Sequence, residues 1–258
     1  MSGGAPEDPD PTVAGGEPLE PGPAPSGALV LPLRYRLLGP LGEGGFGEVH
    51  RVEDTVLERV VALKILRHPG GADGVDRFVR EARATAQLQH PGIVPIYDMG
   101  RLGDGGLYYA MPVVEGETLA AIIRASEASR QTRPGLRRLV ALLQRACAPV
   151  AYAHARGFLH RDLKPSNIMV GPVGEVLVLD WGLVRTLELE EDDEAVAVPA
   201  APGATQMGRV LGTPGYMAPE QAQGRLGDLG PAADVFALGA ILHRMMTGRP
   251  PPPEAVED

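Results

Sequence analysis

Between two apolar runs, residues His160 to Asn167 read His-Arg-Asp-Leu-Lys-Pro-Ser-Asn. One acid, two cations and an amide fall within a single short stretch. Asp162 is a carboxylate able to take a proton from an incoming hydroxyl. Lys164 could hold an oxygen of a transferring phosphoryl group, and Asn167 offers an oxygen to a hard cation such as Mg2+. A lone His-Arg-Asp tripeptide would mean only an exposed turn. The whole stretch, followed by the apolar Ile168, Met169 and Val170, is a specific signal.

Three further motifs could serve the same chemistry. Gly42-Glu-Gly44-Gly-Phe-Gly47-Glu-Val49 has glycines whose small size lets backbone N–H groups approach phosphate oxygens. Dinucleotide-binding loops share this spacing but run into a helix. Here the next stretch, Glu48–Asp54, is strand-like, and a plain hairpin turn is the bland alternative. Val61-Ala62-Leu63-Lys64 puts one lysine at the end of an apolar strand, where Ala62 leaves room for a flat ring. Asp180-Trp181-Gly182 follows another apolar strand; in isolation such a tripeptide is more often a turn than a metal site.

Taken in order along the chain, these motifs resemble those of the protein kinases, in particular the bacterial eukaryotic-like serine/threonine kinases. The resemblance spans roughly residues 34–250. It implies an α+β, two-lobed fold: a small antiparallel β lobe with one helix, and a mainly helical lobe. It further implies ATP and Mg2+, with Lys64 on the α- and β-phosphates and Glu81 holding Lys64. Asp162 would orient and deprotonate the acceptor hydroxyl, while Lys164 stabilises charge on the transferred group. Asn167 and Asp180 would hold the metal. Leu41, Gly42, Gly44, Gly47, Val49, Ala62, Met111, Pro112, Val114 and Met169 would surround the nucleotide. In Tyr109-Ala-Met111-Pro-Val-Val114, a backbone carbonyl and then an N–H would read adenine; Pro112 need supply only the carbonyl. Trp181, a larger ring, stands where the family has Phe.

Gly212-Thr213-Pro-Gly-Tyr-Met-Ala-Pro-Glu220 resembles the end of an activation segment, placed at 180–220. With Lys164 it argues for Ser/Thr acceptors over Tyr. Asp234 matches the carboxylate that holds the catalytic-loop backbone; a simple helix N-cap is the alternative. The segment carries six acids between Glu188 and Glu194 and reads as a solvated insertion. Thr205 is the expected regulatory phosphosite, with Arg161 as the cation that pairs with its phosphate.

The elements needed to position these residues are visible as patterning. Strands are expected at Tyr35–Leu41, Glu48–Asp54, Val60–Leu66, Ile93–Asp98 and Leu107–Val113, with one helix from about Gly74 to Leu88. A second lobe then needs a short helix capped by Thr118 and ending near Ala128, and a long helix over 134–156 with Pro149 inside it. Short strands at Ile168–Val170 and Val176–Leu179 follow, and a last helix runs over 232–247. Residues 1–33 hold eight Pro and six Gly and read as a disordered acidic tail. The division is therefore 1–33, 34–113 and 114–258. The family continues with further helices, one of which supplies an arginine to the carboxylate matching Glu220. A lower lobe without its last helices is therefore expected.

Composition narrows the partners. Apolar residues make up 44% and charged ones 22%, so a globular class is expected. Of the net charge of −9, five acids precede the first base, Arg34. That leaves no basic footprint for nucleic acid. Cys147 is the only cysteine, so neither an internal disulfide nor a Cys-based metal cluster is available. No apolar run reaches the ~18 residues of a membrane span, and no signal peptide is apparent; a cytoplasmic location is the default. The expected partners are proteins with Ser/Thr acceptors, and a homodimer would serve trans-autophosphorylation. Two alternatives stay open: a nucleotide-binding regulator without turnover, and an interaction module using the acidic tail and loop.

Overall fold

A computed structural model describes residues 29–44, 47–66, 72–181, 185–186 and 213–252. The chain divides into two compact units, 1–125 with 165–182, and 126–164 with 183–258.

The first unit is built on an antiparallel sheet of five strands in the order β1-β2-β3-β5-β4. These are β1 Tyr35–Gly44, β2 Gly47–Asp54, β3 Arg59–Leu66, β4 Asp98–Arg101 and β5 Leu107–Met111. Helix α1, Ala72–Gln87, packs its apolar face onto β3 and β5 through Phe78 and Ala82, which meet Leu66, Leu107 and Tyr109. The opposite face of the sheet buries Tyr35, Val52, Val61, Leu63 and Ile65 in a second cluster, against which Leu29 and Leu31 pack. One end of this sheet is tied by Arg34, which donates from Nε and Nη2 to the two oxygens of Asp54 at 2.9 and 2.8 Å. That fork holds the Asp54 carboxyl down at about 2.

Two expected strands differ in extent. The run Ile93–Asp98 is not a strand; β4 starts only at Asp98. Pro95 interrupts it, and proline has no N–H for a ladder. Ile93 instead makes a single parallel bridge to Val178, and Val178 N donates to Gly92 O at 2.8 Å. The strand expected over Leu107–Val113 ends at Met111, where Pro112 removes the next donor.

The same unit carries a three-stranded sheet of β6 Glu117–Thr118, β7 Ile168–Val170 and β8 Val176–Val178, in that order. Helix α2, Leu119–Ala125, follows β6, and Thr118 Oγ1 accepts from Ala121 N at 3.1 Å as its cap. Residues 114–125 and 165–182, assigned to the second lobe from the sequence, thus cluster with the first unit, tied through the bridge at Ile93.

The second unit is helical. Helix α3, Arg133–His154, starts with Thr132 accepting from Gly135 N and buries Leu139, Leu142, Leu143, Ala146, Val150 and Ala153 along one face. Pro149 lies buried inside it without ending it. Helix α4, Pro231–Thr247, packs on α3 and stops at Gly248, whose φ of 81° is the left-handed conformation that favours glycine. Phe158–Leu159 pairs with Arg185–Thr186 as a two-residue ladder, and Pro219–Ala222 forms one helical turn.

Candidate active site

In the first unit, β3 and α1 bring together three groups that are far apart in sequence. Lys64 Nζ lies 2.7 Å from Glu81 Oε1 and 2.9 Å from Asp180 Oδ1. Lys64 and Glu81 are buried, while the Asp180 side chain keeps 37% exposure. Burial by itself would pull the Lys64 pKa down; the Asp180 and Glu81 carboxylates overcome this and hold it well above its usual value. Lysine is therefore charged here. Asp180 has a φ of 54°, a strained conformation for a non-glycine residue. Trp181 is buried at 2% exposure and donates from Nε1 to Val178 O at 3.2 Å.

The glycine stretch closes as a hairpin, with Gly42 opposite Val49 and Gly44 opposite Gly47. At Gly47 only glycine fits: φ is 145°, and a Cβ would sit 2.2 Å from the carbonyl oxygen of Ile65. Ala62 and Met111 are direct cross-strand partners. Val49, Ala62 and Met169 are buried, and Leu41, Met111, Pro112 and Val114 are half-buried. A cavity of about 630 Å³ touches Pro112 and Val114, but is lined by neither Lys64, Ala62 nor Met111. Asn167 is buried at the end of a single 3-10 turn, Pro165–Asn167, and its carbonyl accepts from Leu179 N at 2.8 Å.

The second unit holds the other constellation. Thr213 donates its hydroxyl to Asp162 Oδ1 at 2.9 Å and accepts from Lys164 Nζ at 2.9 Å. Lys164 Nζ also lies 3.3 Å from Asp162 Oδ2. A hydroxyl is thus held between a carboxylate and an ammonium. The loop beneath is fixed by Asp234, which accepts from His160 N and Arg161 N, both at 2.8 Å. It is not an N-cap, because Gly230 occupies that position of α4. Arg161 takes a φ of 68°, and Gln221 Nε2 donates to its carbonyl at 2.5 Å. Glu220 is half-buried in the first turn of the short helix at 219–222. Thr205, Gly182 and the acidic stretch 188–194 lie outside the described residues.

Two neighbours of these groups were not singled out from the sequence. His154, at the end of α3, donates from Nε2 to Asp234 Oδ2 at 2.7 Å. Burial works against the Asp234 charge, yet the His154 hydrogen bond, the charge of His160 and the two backbone donors keep its pKa below the usual carboxylate value. The only signal was a histidine at the end of an apolar helix, which usually means nothing. Tyr109 is the other: its hydroxyl donates to Glu81 Oε1 at 2.7 Å. The period-2 pattern of β5 puts it on the Lys64 face, but nothing in the sequence tells a hydrogen-bonded phenol from a core ring.

A model of the protein kinase domain matches residues 35–258. The chain belongs to the protein kinase family. Among the kinases it resembles is the serine/threonine-protein kinase PknD of Protochlamydia amoebophila, 40% identical over 234 residues, covering 84% of this chain and 23% of the relative. The PknD proteins of Chlamydia caviae and Chlamydia trachomatis serovar D are each 38% identical over 83% of this chain and 24% of their own length. The chain therefore spans about a quarter of the length of these curated relatives.

Kinases in general use ATP with Mg2+, and the residues present fit both. Mg2+ is bound through one or two protein oxygens plus phosphates and waters, not in an all-protein cage. Asp180 and Asn167 supply that number, and among the described residues no cluster of three or more His, Cys, Asp or Glu competes as a metal site. The buried, cationic Lys64 suits a polyphosphate. Among the described residues no helix is long and apolar enough to cross a membrane.

Proposed function

We propose that this chain is a Mg-ATP-dependent kinase that transfers the γ-phosphoryl group to Ser and Thr hydroxyls of proteins, its own among them. The observation that carries the reading is the Thr213 hydroxyl held 2.9 Å from both Asp162 and Lys164. It is a hydroxyl in the care of one base and one cation. An acceptor hydroxyl bound in the same way would pass its proton to Asp162 as its oxygen bonds to phosphorus. The bond from that phosphorus to the bridging oxygen breaks, and ADP leaves. Lys164 offsets negative charge on the transferred oxygens.

Lys64, held by Glu81, would bind the α- and β-phosphates beneath the hairpin of Gly42, Gly44 and Gly47. Leu41, Val49, Ala62, Met111 and Met169 would enclose the adenine, with Pro112 O and Val114 N reading its edge. Asn167 and Asp180 would hold Mg2+, which when bound supplies charge neutralisation for the phosphates. Thr205 would be the regulatory phosphosite, paired with Arg161. The names of the relatives, serine/threonine-protein kinases, support the choice of acceptor.

The test is intact-mass and phosphopeptide analysis of the purified protein after Mg-ATP, beside Asp162→Asn. Phosphate on Thr or Ser in the wild type alone is the expected outcome. A folded wild type that gains none would overturn the reading. Phosphate confined to Thr186 or the N-terminal tail would remove Thr205 as the regulatory site.

A further inference from the structure

We propose that Tyr109 is a positioning residue for phosphoryl transfer, acting through Glu81 on Lys64; the inference rests on the kinase reading above. Glu81 Oε1 accepts two hydrogen bonds of 2.7 Å, one from Lys64 Nζ and one from the Tyr109 hydroxyl. Both donors come from the sheet, where Lys64 and Tyr109 are direct cross-strand partners on β3 and β5. Such partners present their side chains to the same face. The Lys64 ammonium also lies 5.7 Å from the centre of the Tyr109 ring.

The acceptor belongs to α1. Phe78, one turn before Glu81 on that helix, meets the Tyr109 ring with centroids 5.1 Å apart and planes at 32°. A single tyrosine therefore grips α1 twice, by its ring on Phe78 and by its hydroxyl on Glu81. The ring alone would fix the distance of helix to sheet. Only the hydroxyl fixes which way the Glu81 carboxylate turns. With Lys64 as its sole partner, a carboxylate on a flexible side chain can follow the ammonium or swing from it; a second donor from a rigid ring removes that freedom. Burial, and then the Glu81 charge, hold the phenol well above its usual pKa, so it remains a donor.

The neighbouring Tyr108 shows what a structural tyrosine looks like on the same strand. It faces the other side of the sheet and packs edge-on against Tyr35, centroids 5.7 Å apart. It supplies a control for the loss of a phenol hydroxyl in β5.

The experiment measures initial rates of phosphate transfer to a generic acceptor, myelin basic protein, across ATP concentrations, using the full chain. Wild type, Tyr109→Phe, Tyr108→Phe, Glu81→Gln and the double variant Tyr109→Phe/Glu81→Gln are compared, with thermal melting of each. A hydrogen bond to a charged group is worth enough to predict a loss of about tenfold in kcat/KM for ATP in Tyr109→Phe. Tyr108→Phe keeps the wild-type rate, and in the Glu81→Gln background the second change costs less than about twofold, since its effect runs through Glu81. Equal losses in both backgrounds, a wild-type rate for Tyr109→Phe, or the same loss in Tyr108→Phe would overturn the proposal. Failure of Tyr109→Phe to fold would overturn it too, because the hydroxyl would then be a requirement of the fold. A folded wild type that transfers no phosphate sinks the kinase reading and this proposal with it.

Discussion

The Lys64 cluster and the Asp162 cluster use the same functional groups, a lysine and carboxylates, in opposite settings. Lys64 sits at 7% side-chain exposure between two carboxylates, one of them also held by a phenol. Its charge is held by the two carboxylates against the pull of burial, and the arrangement is preorganised before any ligand arrives. Asp162 and Lys164 are more open, at 19% and 14%, and meet partly through the hydroxyl of Thr213. Such a bridge can be exchanged for another hydroxyl at small cost. The difference teaches that a rigid, dry pair suits a group that must stay charged, whereas a looser, hydroxyl-linked pair suits an acceptor that must come and go.

Substitutions can break this contrast. The largest effect is expected for Asp162→Asn, which keeps the shape of the side chain and removes the base. Transfer should fall by about 10²–10⁴-fold with the melting temperature unchanged, read by radiolabelled phosphate incorporation. Next is Glu81→Ala, which should be felt in stability as well as in rate. Removing one partner of a buried pair costs about 3–5 kcal/mol; because Asp180 still faces Lys64, the lower end is expected, measured by urea unfolding.

Asp234→Asn should cost about 2–3 kcal/mol, since an amide cannot accept from three donors and leaves buried N–H groups unpaired. The acid dependence sharpens that test. The Asp234 pKa is depressed in the folded state, so its contribution is complete above the ordinary value of 3.8 and disappears as pH falls through the lower folded value. The stability gap between wild type and Asp234→Asn should shrink as pH falls below 3.8. The smallest effect is expected for Thr213→Val, about tenfold or less in rate with stability preserved. A Thr213→Val loss as large as that of Asp162→Asn would erase the contrast drawn between the two clusters.

Much of the fold is legible in the sequence wherever local chemistry decides it. The strands around the glycine stretch, the cap at Thr118 and the stop at Gly248 follow from patterning and turn residues. The run at Ile93–Asp98 misleads because Pro95 breaks it, leaving Ile93 with a single bridge to Val178 in place of a ladder. In the site, Lys64 and Glu81 stand out by motif, and the structure pairs them at 2.7 Å. Tyr109 and His154 do not, because their meaning lies in where a distant partner's oxygen falls. Trp181 shows the reverse: it departs from the motif, yet a buried slot and a carbonyl at 3.2 Å accommodate the larger ring.

Asp234 also sets an order in time. The backbone of the His160–Arg161 loop is anchored by a carboxylate that lies 74 and 73 residues further along the chain. At the usual pace of synthesis, about 5–20 residues per second, the loop waits roughly 4–15 s on the ribosome before its anchor is made. During that interval Asp162 is already made, but the carboxylate that fixes its loop is not. Until α4 emerges, a nascent chain lacks the anchor of this loop.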